Sequence, residues 1–536
     1  MDYDPTPYDL TAGLLNWAKV VGLCTLIVLL VAFVTALASN GMAGLEAVVR
    51  NILTGIRDIV DTRFRRVWAI ALLTIREAIR RRALVVFVIF AVLFMFAGWF
   101  LPESIDRPDL QVKQHVALVL RAMTWLILPV ILLLSCWGIP EDIRLRSMHT
   151  VVTKPARRSE IVMGRMLGFI SVGTGVLAVM SVVGYIWINR QLPDDAKQAL
   201  VCRVPVYGNL TFLTREGSPG EGINVGNIWK FRAYIEGATK AAGVWEINDV
   251  DESLLVPVEN SAGETVDGLK FEAGFESFRS HKGVIGKGLL AQMRFVNPAE
   301  KLRIPVPPFD VAEYRGNVID VPRKIKYENK EYDIIDDLVH DGKLRIEVQC
   351  LNAGQYLGMA RPDLFIRTAD RSFAQGYFKA SFGIWLMMSL VSILGVTASC
   401  FLKGPVATLL TFSIVVIGQG MREFMAKIVS GEQRGGGPIE SIYRMVMHLN
   451  QTIELGEEWW VPVIQFLDRC SIEILYLVQQ VIPNFDYFTM SPYIANGYDV
   501  NWNAAILPSI VNAAAFVIPC ILIGYYSLKL RELEAK

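Results

Sequence analysis

The chain has 536 residues, of which 53% are hydrophobic and only 20% charged, and its mean hydropathy is +0.37. That is more apolar surface than one water-soluble core hides, so a membrane protein is the default reading, and disordered or collagen-like chains are excluded. Lys and Arg (53) nearly balance Asp and Glu (52), so bulk charge gives no argument for nucleic acid as a partner and only local asymmetry informs.

A helix needs about 20 apolar residues to cross roughly 30 Å of hydrocarbon. Seven stretches qualify as spans: 20–39, 84–101, 122–138, 166–189, 380–402, 406–421 and 504–528. Ala36-Leu37-Ala38 follows the first apolar run as a signal-peptidase site would. Asp2, Asp4 and Asp9 precede that run and arginines follow it, the reverse of a signal peptide, so a retained span is expected. The loop 41–82 carries nine arginines against four acids, and 139–165 adds Arg144, Arg146, Lys154, Arg157, Arg158 and Arg165. Both loops are therefore expected inside, which puts the amino terminus outside and the carboxyl terminus in the cytoplasm of a cell-membrane protein.

After the first span, Leu45, Val48, Val49, Ile52, Leu53, Ile56, Ile59 and Val60 recur at helical spacing, opposite Glu46, Arg50, Arg57 and Asp58. Such a helix suits the membrane interface, the alternative being a solvated connecting helix. A second amphipathic helix, 68–82, leads directly into the next span. It contains Ile75-Arg76-Glu77-Ala78-Ile79-Arg80-Arg81-Arg82.

Between the third and fourth spans lie Glu141-Asp142-Ile143-Arg144, then Thr150-Val151-Val152-Thr153-Lys154-Pro155, Arg157-Arg158 and Gly164-Arg165-Met166-Leu167-Gly168. With 75–82 before a span and Ile482-Pro483-Asn484-Phe485-Asp486 before the last one, this order resembles the permeases of type-2 ATP-binding-cassette (ABC) exporters. The resemblance covers about two thirds of the chain. It implies that Arg76, Glu77, Arg80, Arg81 and Arg82 belong to an elbow helix. It also implies that Glu141, Asp142, Arg144, Arg146, Thr150, Lys154, Pro155, Arg157 and Arg158 form the segment that couples to an ATPase. Two copies of a cassette ATPase, which would hold ATP-Mg, and a second permease chain, identical or related, are the implied partners besides the lipid bilayer. Ser147 stands where the family usually has Gly, the first span is additional to the six-span core, and the large insertion before the fifth predicted span is a second addition.

The residues themselves suit that reading. Charges of both signs in 141–154 can pair with a docking surface, and Pro155 limits how far a helix runs. Arg157, Arg158 and Arg165 are expected at the lipid headgroups. An ordinary positive-inside loop explains the arginines equally well but not the Thr-Lys-Pro turn. No phosphate loop, H-E-x-x-H or C-x-x-C is present, so no catalytic site and no cofactor or metal is expected on this chain. Gln419 and Asn512, polar groups at the end of one span and within another, are candidate pathway-lining residues. Arg422, Glu423 and Lys427 are read as solvating the end of the sixth span.

From 190 to 373 the composition turns polar, with strict alternation over 343–350 and again at Leu269, Phe271, Ala273 and Phe275. A β-sandwich outside the cytoplasm is expected. Cys202 and Cys350 each fall on an apolar face, where either a disulfide or two buried thiols fits. Asp336, Asp337 and Asp341 lack the spacing of a calcium loop. The segment 428–503 carries two amphipathic stripes, the second of which, near 461–482, contains Asp468, Arg469 and Glu473 and so either spans at a cost or lies at the interface.

The expected fold is thus a multi-pass α-helical membrane protein of about seven spans with an inserted, mostly-β extracytoplasmic domain. Its parts are an amino-terminal tail and extra span (1–40), amphipathic and elbow helices (41–82), three spans with the coupling segment 139–165 (83–189) and the β domain (190–373). Two further spans (374–427), external helices (428–503) and the last span and tail (504–536) complete it. A permease subunit without its own ATPase site is the leading function. The alternative is a membrane-anchored binding or scaffold protein.

Overall fold

The computed structural model describes residues 7–80, 89–90, 92–93, 108–144, 157–223, 232–260, 263–279, 288–300, 302–311, 316–328, 330–430, 437–450 and 459–534. They divide into a helical unit and a β unit, the latter comprising Leu200–Phe373 and Gly497–Asp499.

Helix α1 is Leu10–Val60, started by the Asp9 carboxylate, which accepts from the N–H groups of Thr11 at 2.9 Å and Ala12 at 3.1 Å. Gly41 breaks it with φ 58° and ψ −141°, a backbone state that a side chain resists. The predicted span and the predicted amphipathic helix are therefore the two arms of one kinked helix. Helix α2 is Phe64–Arg80, burying Val67, Ala71, Thr74 and Ala78 at spacings of four, three and four. Next come α3 (Pro108–Arg144), α4 (Arg158–Gln191), α5 (Phe373–Phe401) and α6 (Gly404–Val416).

Among the described residues, six stretches are long and apolar enough to cross a membrane: Leu10–Ala38, Pro108–Arg144, Arg158–Gln191, Phe373–Phe401, Gly404–Met421 and Trp502–Lys529. They coincide with six of the seven predicted spans. The seventh, 84–101, lies outside the described residues apart from the helical residues 89, 90, 92 and 93. Of the apolar window of α5, 83% is buried, against 0% for that of the first arm of α1, so α5 is far the more enclosed; the first arm meets the rest of the unit through Trp17, whose Nε1 donates to the Ala515 carbonyl of Leu507–Glu534 at 3.0 Å.

Short helices α7 (Arg422–Val429) and α8 (Pro438–Val446) precede α9 (Val461–Val481). Helix α9, 21 residues long, is not among those six stretches, its middle carrying Asp468, Arg469 and Glu473. Its costly Asp468 is 3% exposed and accepts from the N–H groups of Ile439 at 2.7 Å and Glu440 at 2.9 Å, capping the start of α8. Helix α10, Leu507–Glu534, closes the unit. Before it, Phe485 and Phe488 are fully buried in a cluster with Leu386, Met387 and Leu390 of α5.

The β unit has two main antiparallel sheets. One runs Leu302–Pro305, Leu289–Asn297, Leu344–Cys350, Ala242–Ile247, Asn209–Leu213, Pro219–Gly220, and the other runs Asn317–Pro322, Thr265–Ala273, Leu364–Arg367, Pro205–Tyr207. Register puts Phe295, Ile346 and Trp245 side by side in the first and Ile319, Phe271 and Ile366 in the second. All of these belong to one apolar core, and the Phe271 and Phe295 rings meet at 5.7 Å, so the two sheets face each other as the alternation predicts. Cys202 and Cys350 are buried but not bridged, which corrects the disulfide alternative. Cys202 pairs into a small ladder with Arg371, whereas Cys350 sits in the first main sheet opposite Ala291. Burial pushes the Cys350 thiol above its ordinary pKa.

Candidate functional site: a charged node around the coupling segment

Buried charge of the helical unit lies in two places among the described residues: Glu440, Arg444 and Asp468 on α8 and α9, and Glu160 and Arg165 where α2, α3 and α4 meet. Gly164 and Gly168, one turn apart on α4, let α2 approach closely. A Cβ at Gly164 would lie 2.6 Å from the Cβ of Ile70, and one at Gly168 2.5 Å from that of Thr74. Between them Arg165, only 6% exposed, donates from Nη1 to Glu77 Oε2 at 2.6 Å and from Nη2 to Asp142 at the end of α3. Nη1 also reaches Thr74 Oγ1 at 3.4 Å. The expectation that Arg165 sits at the lipid headgroups is corrected: two carboxylates from two other helices hold it inside.

A second cluster fixes the start of α4. The Glu160 side chain is fully buried, accepts from the N–H of Arg157 at 2.9 Å and from that of Arg63 at 3.1 Å, and pairs with Arg66 at 3.6 Å. Its bond to Arg157 satisfies one of the backbone N–H groups left free at the start of α4. Arg157 donates to Asp61 Oδ2 at 3.1 Å and to the Arg57 carbonyl at 3.3 Å, and Ser159 Oγ donates to the Asp58 carbonyl at 3.1 Å. From α10, Tyr525 donates to Asp58 Oδ2 at 2.7 Å.

Thus the structure joins Glu77 and Asp142 of the predicted elbow and coupling sets through Arg165, and in a separate cluster places Arg157 with Asp58, Asp61 and Glu160. Glu141 and Arg144 pair with each other at 2.6 Å, Arg158 is half-buried at the first turn of α4, and Arg76 and Arg80 are exposed on α2. Arg146, Thr150, Lys154 and Pro155 lie outside the described residues, as do Arg81 and Arg82. Gln419 is exposed, and Asn512 donates to the Asn484 carbonyl at 2.8 Å, tying the Pro-Asn-Phe-Asp stretch to α10.

Among the described residues no group of three or more His, Cys, Asp or Glu is placed to hold a metal ion. In the β unit Arg232 lies on Asp363, bidentate at 2.7 and 2.8 Å. Burial pushes the Asp363 carboxyl up while Arg232 pulls it back, and Asp363 in turn accepts from the N–H of Ala360 at 2.8 Å. The pair thus fixes a turn between strands and presents no open chemistry. No protein family, no curated protein and no solved structure matches this chain.

Proposed function

We propose that this chain is the membrane-spanning permease subunit of an ATP-driven ABC exporter, multi-pass in the cell membrane with its amino terminus outside and its carboxyl terminus cytoplasmic. ATP-Mg would be hydrolysed on a separate cassette ATPase, present in two copies beneath a pair of permease chains. One observation carries the reading. Residues 145–156 are flanked by Asp142, bonded to Arg165, and by Arg157, bonded to Asp61, so both flanks are anchored to α1, α2 and α4. Arg165 ties Asp142 at the end of α3 to Glu77 of α2 and to α4, so a push delivered beside Asp142 would reach several helices at once. The exposed apolar side chains of the long helices other than the largely enclosed α5 would supply the lipid-facing surface that such a subunit requires.

The test is co-purification from solubilised membranes followed by replacement of Lys154, Pro155 and Arg157 together. The permease reading expects a cassette ATPase in the complex and its loss, with loss of ATPase stimulation, in the triple variant. A complex without ATPase, or a triple variant that keeps full coupling, overturns it. The separate β unit, with its own core, favours the scaffold alternative in one respect: it can fold as a capture module. Deleting 191–371 separates the two, because a permease still binds its ATPase and a scaffold loses its partner.

A further inference from the structure

Helix α2 has three different sides. One, carrying Val67, Ala71, Thr74 and Ala78, is buried. It lies along α4, where Gly164 meets Ile70, Gly168 meets Thr74, and Ala78 clusters with Val172. The second side is apolar and open. Phe64, Trp68, Leu72 and Ile79 are 72%, 45%, 40% and 51% exposed, and their spacings of four, four and seven residues keep them in one stripe. The third side is a row of arginines, Arg65, Arg76 and Arg80, all exposed. Arg65 stands three residues before Trp68, and Arg76 stands four after Leu72 and three before Ile79, so the row borders the apolar stripe. Arg80 extends it one turn beyond Arg76.

These arginines differ from others exposed in the same unit. In the second arm of α1, Arg50 pairs with Glu46 at 2.7 Å and Arg57 with Asp61 at 3.8 Å. Among the described residues no carboxylate pairs with Arg65, Arg76 or Arg80. The one acid of α2, Glu77, is engaged by Arg165. The outer side of α2 therefore carries positive charge that the chain leaves unbalanced.

The level of α2 along α4 says what that side meets. Helix α4 contains one of the membrane-length stretches and has no charge between Arg165 and Arg190. Gly164 and Gly168 flank Arg165, so α2 passes the level at which the charge-free run begins. In a bilayer that is where headgroups give way to acyl chains, and an arginine beside an apolar stripe can keep its stem among the chains and its guanidinium at the headgroups. A guanidinium matches a phosphate with two parallel N–H donors. A zwitterionic headgroup carries its own ammonium and leaves the excess charge unmet; an anionic one neutralises it.

We propose that the outer side of α2 is a binding surface for anionic phospholipid, with Arg65, Arg76 and Arg80 on headgroup phosphates and the apolar stripe among the acyl chains. The proposal requires the helical unit to sit in a bilayer and does not rest on the permease reading.

The test is fluorescence anisotropy of acyl-labelled phosphatidylglycerol or phosphatidylcholine titrated with the full chain in neutral-detergent micelles. Wild type is expected to hold phosphatidylglycerol more tightly, and that preference should shrink as salt is raised. At about fivefold per arginine, Arg65→Gln/Arg76→Gln/Arg80→Gln should weaken phosphatidylglycerol binding about 100-fold and leave phosphatidylcholine binding as it is. The double variant Arg50→Gln/Arg57→Gln, which removes exposed arginines that already have partners, should change neither by more than about twofold. No preference in wild type, or a preference indifferent to salt, overturns the proposal. So does a triple variant that keeps the preference, which would assign the row to an acidic protein surface instead, or an equal loss in the double variant. Should the triple variant fail to accumulate, Arg76→Gln alone decides: a loss of about fivefold supports the surface and unchanged binding overturns it.

Discussion

The two units differ in what they expose, although each buries an apolar core and each buries charge, Glu347 of the β unit being 1% exposed. In the β unit the fully buried side chains include Trp245, Phe271 and Phe295, and Arg215 and Glu252 lie outside. In the helical unit Val28, Trp125 and Leu409 are 66%, 77% and 65% exposed, whereas Glu160, Arg165 and Asp468 are 0%, 6% and 3% exposed. The first arrangement is what water selects, because apolar area removed from water is the driving term. The second is costly in water and suits helices whose outer solvent is lipid, in which charge must be satisfied internally. The contrast therefore bears on environment before it bears on function, and it explains why the helical unit marks its joints with charge.

Substitutions at matching depth break or sharpen this contrast. The largest effect is expected for Trp245→Ala, which removes a fully buried ring and its Nε1 donation to the Arg361 carbonyl at 3.2 Å. A loss of about 3–5 kcal/mol is expected, read as cleavage of 200–373 in limited proteolysis while the helical fragments remain intact. Wild-type resistance in the variant would remove the distinction between the units. Arg165→Ala comes next. It leaves Glu77 and Asp142 without their shared cation and should cost up to about 3–5 kcal/mol, seen as a lowered midpoint of thermal unfolding in lipid. Replacing all three by apolar residues of similar size should recover most of that stability, yet in the permease reading it should uncouple the ATPase. A triple variant that couples normally shows the node to be packing alone.

How far the sequence announces these features depends on the range of the interaction. Uncharged runs of helical length place six long helices, since each signal lies within one segment. Alternation over 343–350 foretells a strand that does pair on both sides. Arg165 is misread because an arginine at the start of an apolar run ordinarily snorkels, and its partners lie 88 and 23 residues away. Asp468 is legible as an expense but not as a cap, because the donors it serves are on another helix, 29 and 28 residues earlier. The Gly41 kink is invisible in a pattern that continues on both sides of it.

Two smaller effects refine the contrast. Gly168→Val places a branched side chain where a Cβ already falls 3.0 Å from the Ala71 carbonyl. It should cost about 1–3 kcal/mol and separate α2 from α4, measurable as weaker crosslinking between cysteines introduced on those helices. Unchanged crosslinking would show that the close approach is dispensable.

The smallest effect is one of pH in the β unit. Burial pushes the Asp333 carboxyl up, but Arg323, donating at 2.7 Å, and the N–H groups of Ile335 and Asp336 outweigh it, so the group sits below its ordinary value. A carboxylate depressed on folding adds stability that is present above its unfolded pKa of about 3.9 and is lost as pH falls toward the folded value. Asp333→Asn retains a capping oxygen and loses only the charge, so its proteolytic resistance near neutrality should fall by less than about 1 kcal/mol. The acid-side decline of that resistance should become shallower than in wild type. An equally steep decline in the variant would assign acid sensitivity to other carboxylates and leave Asp333 with its capping role alone.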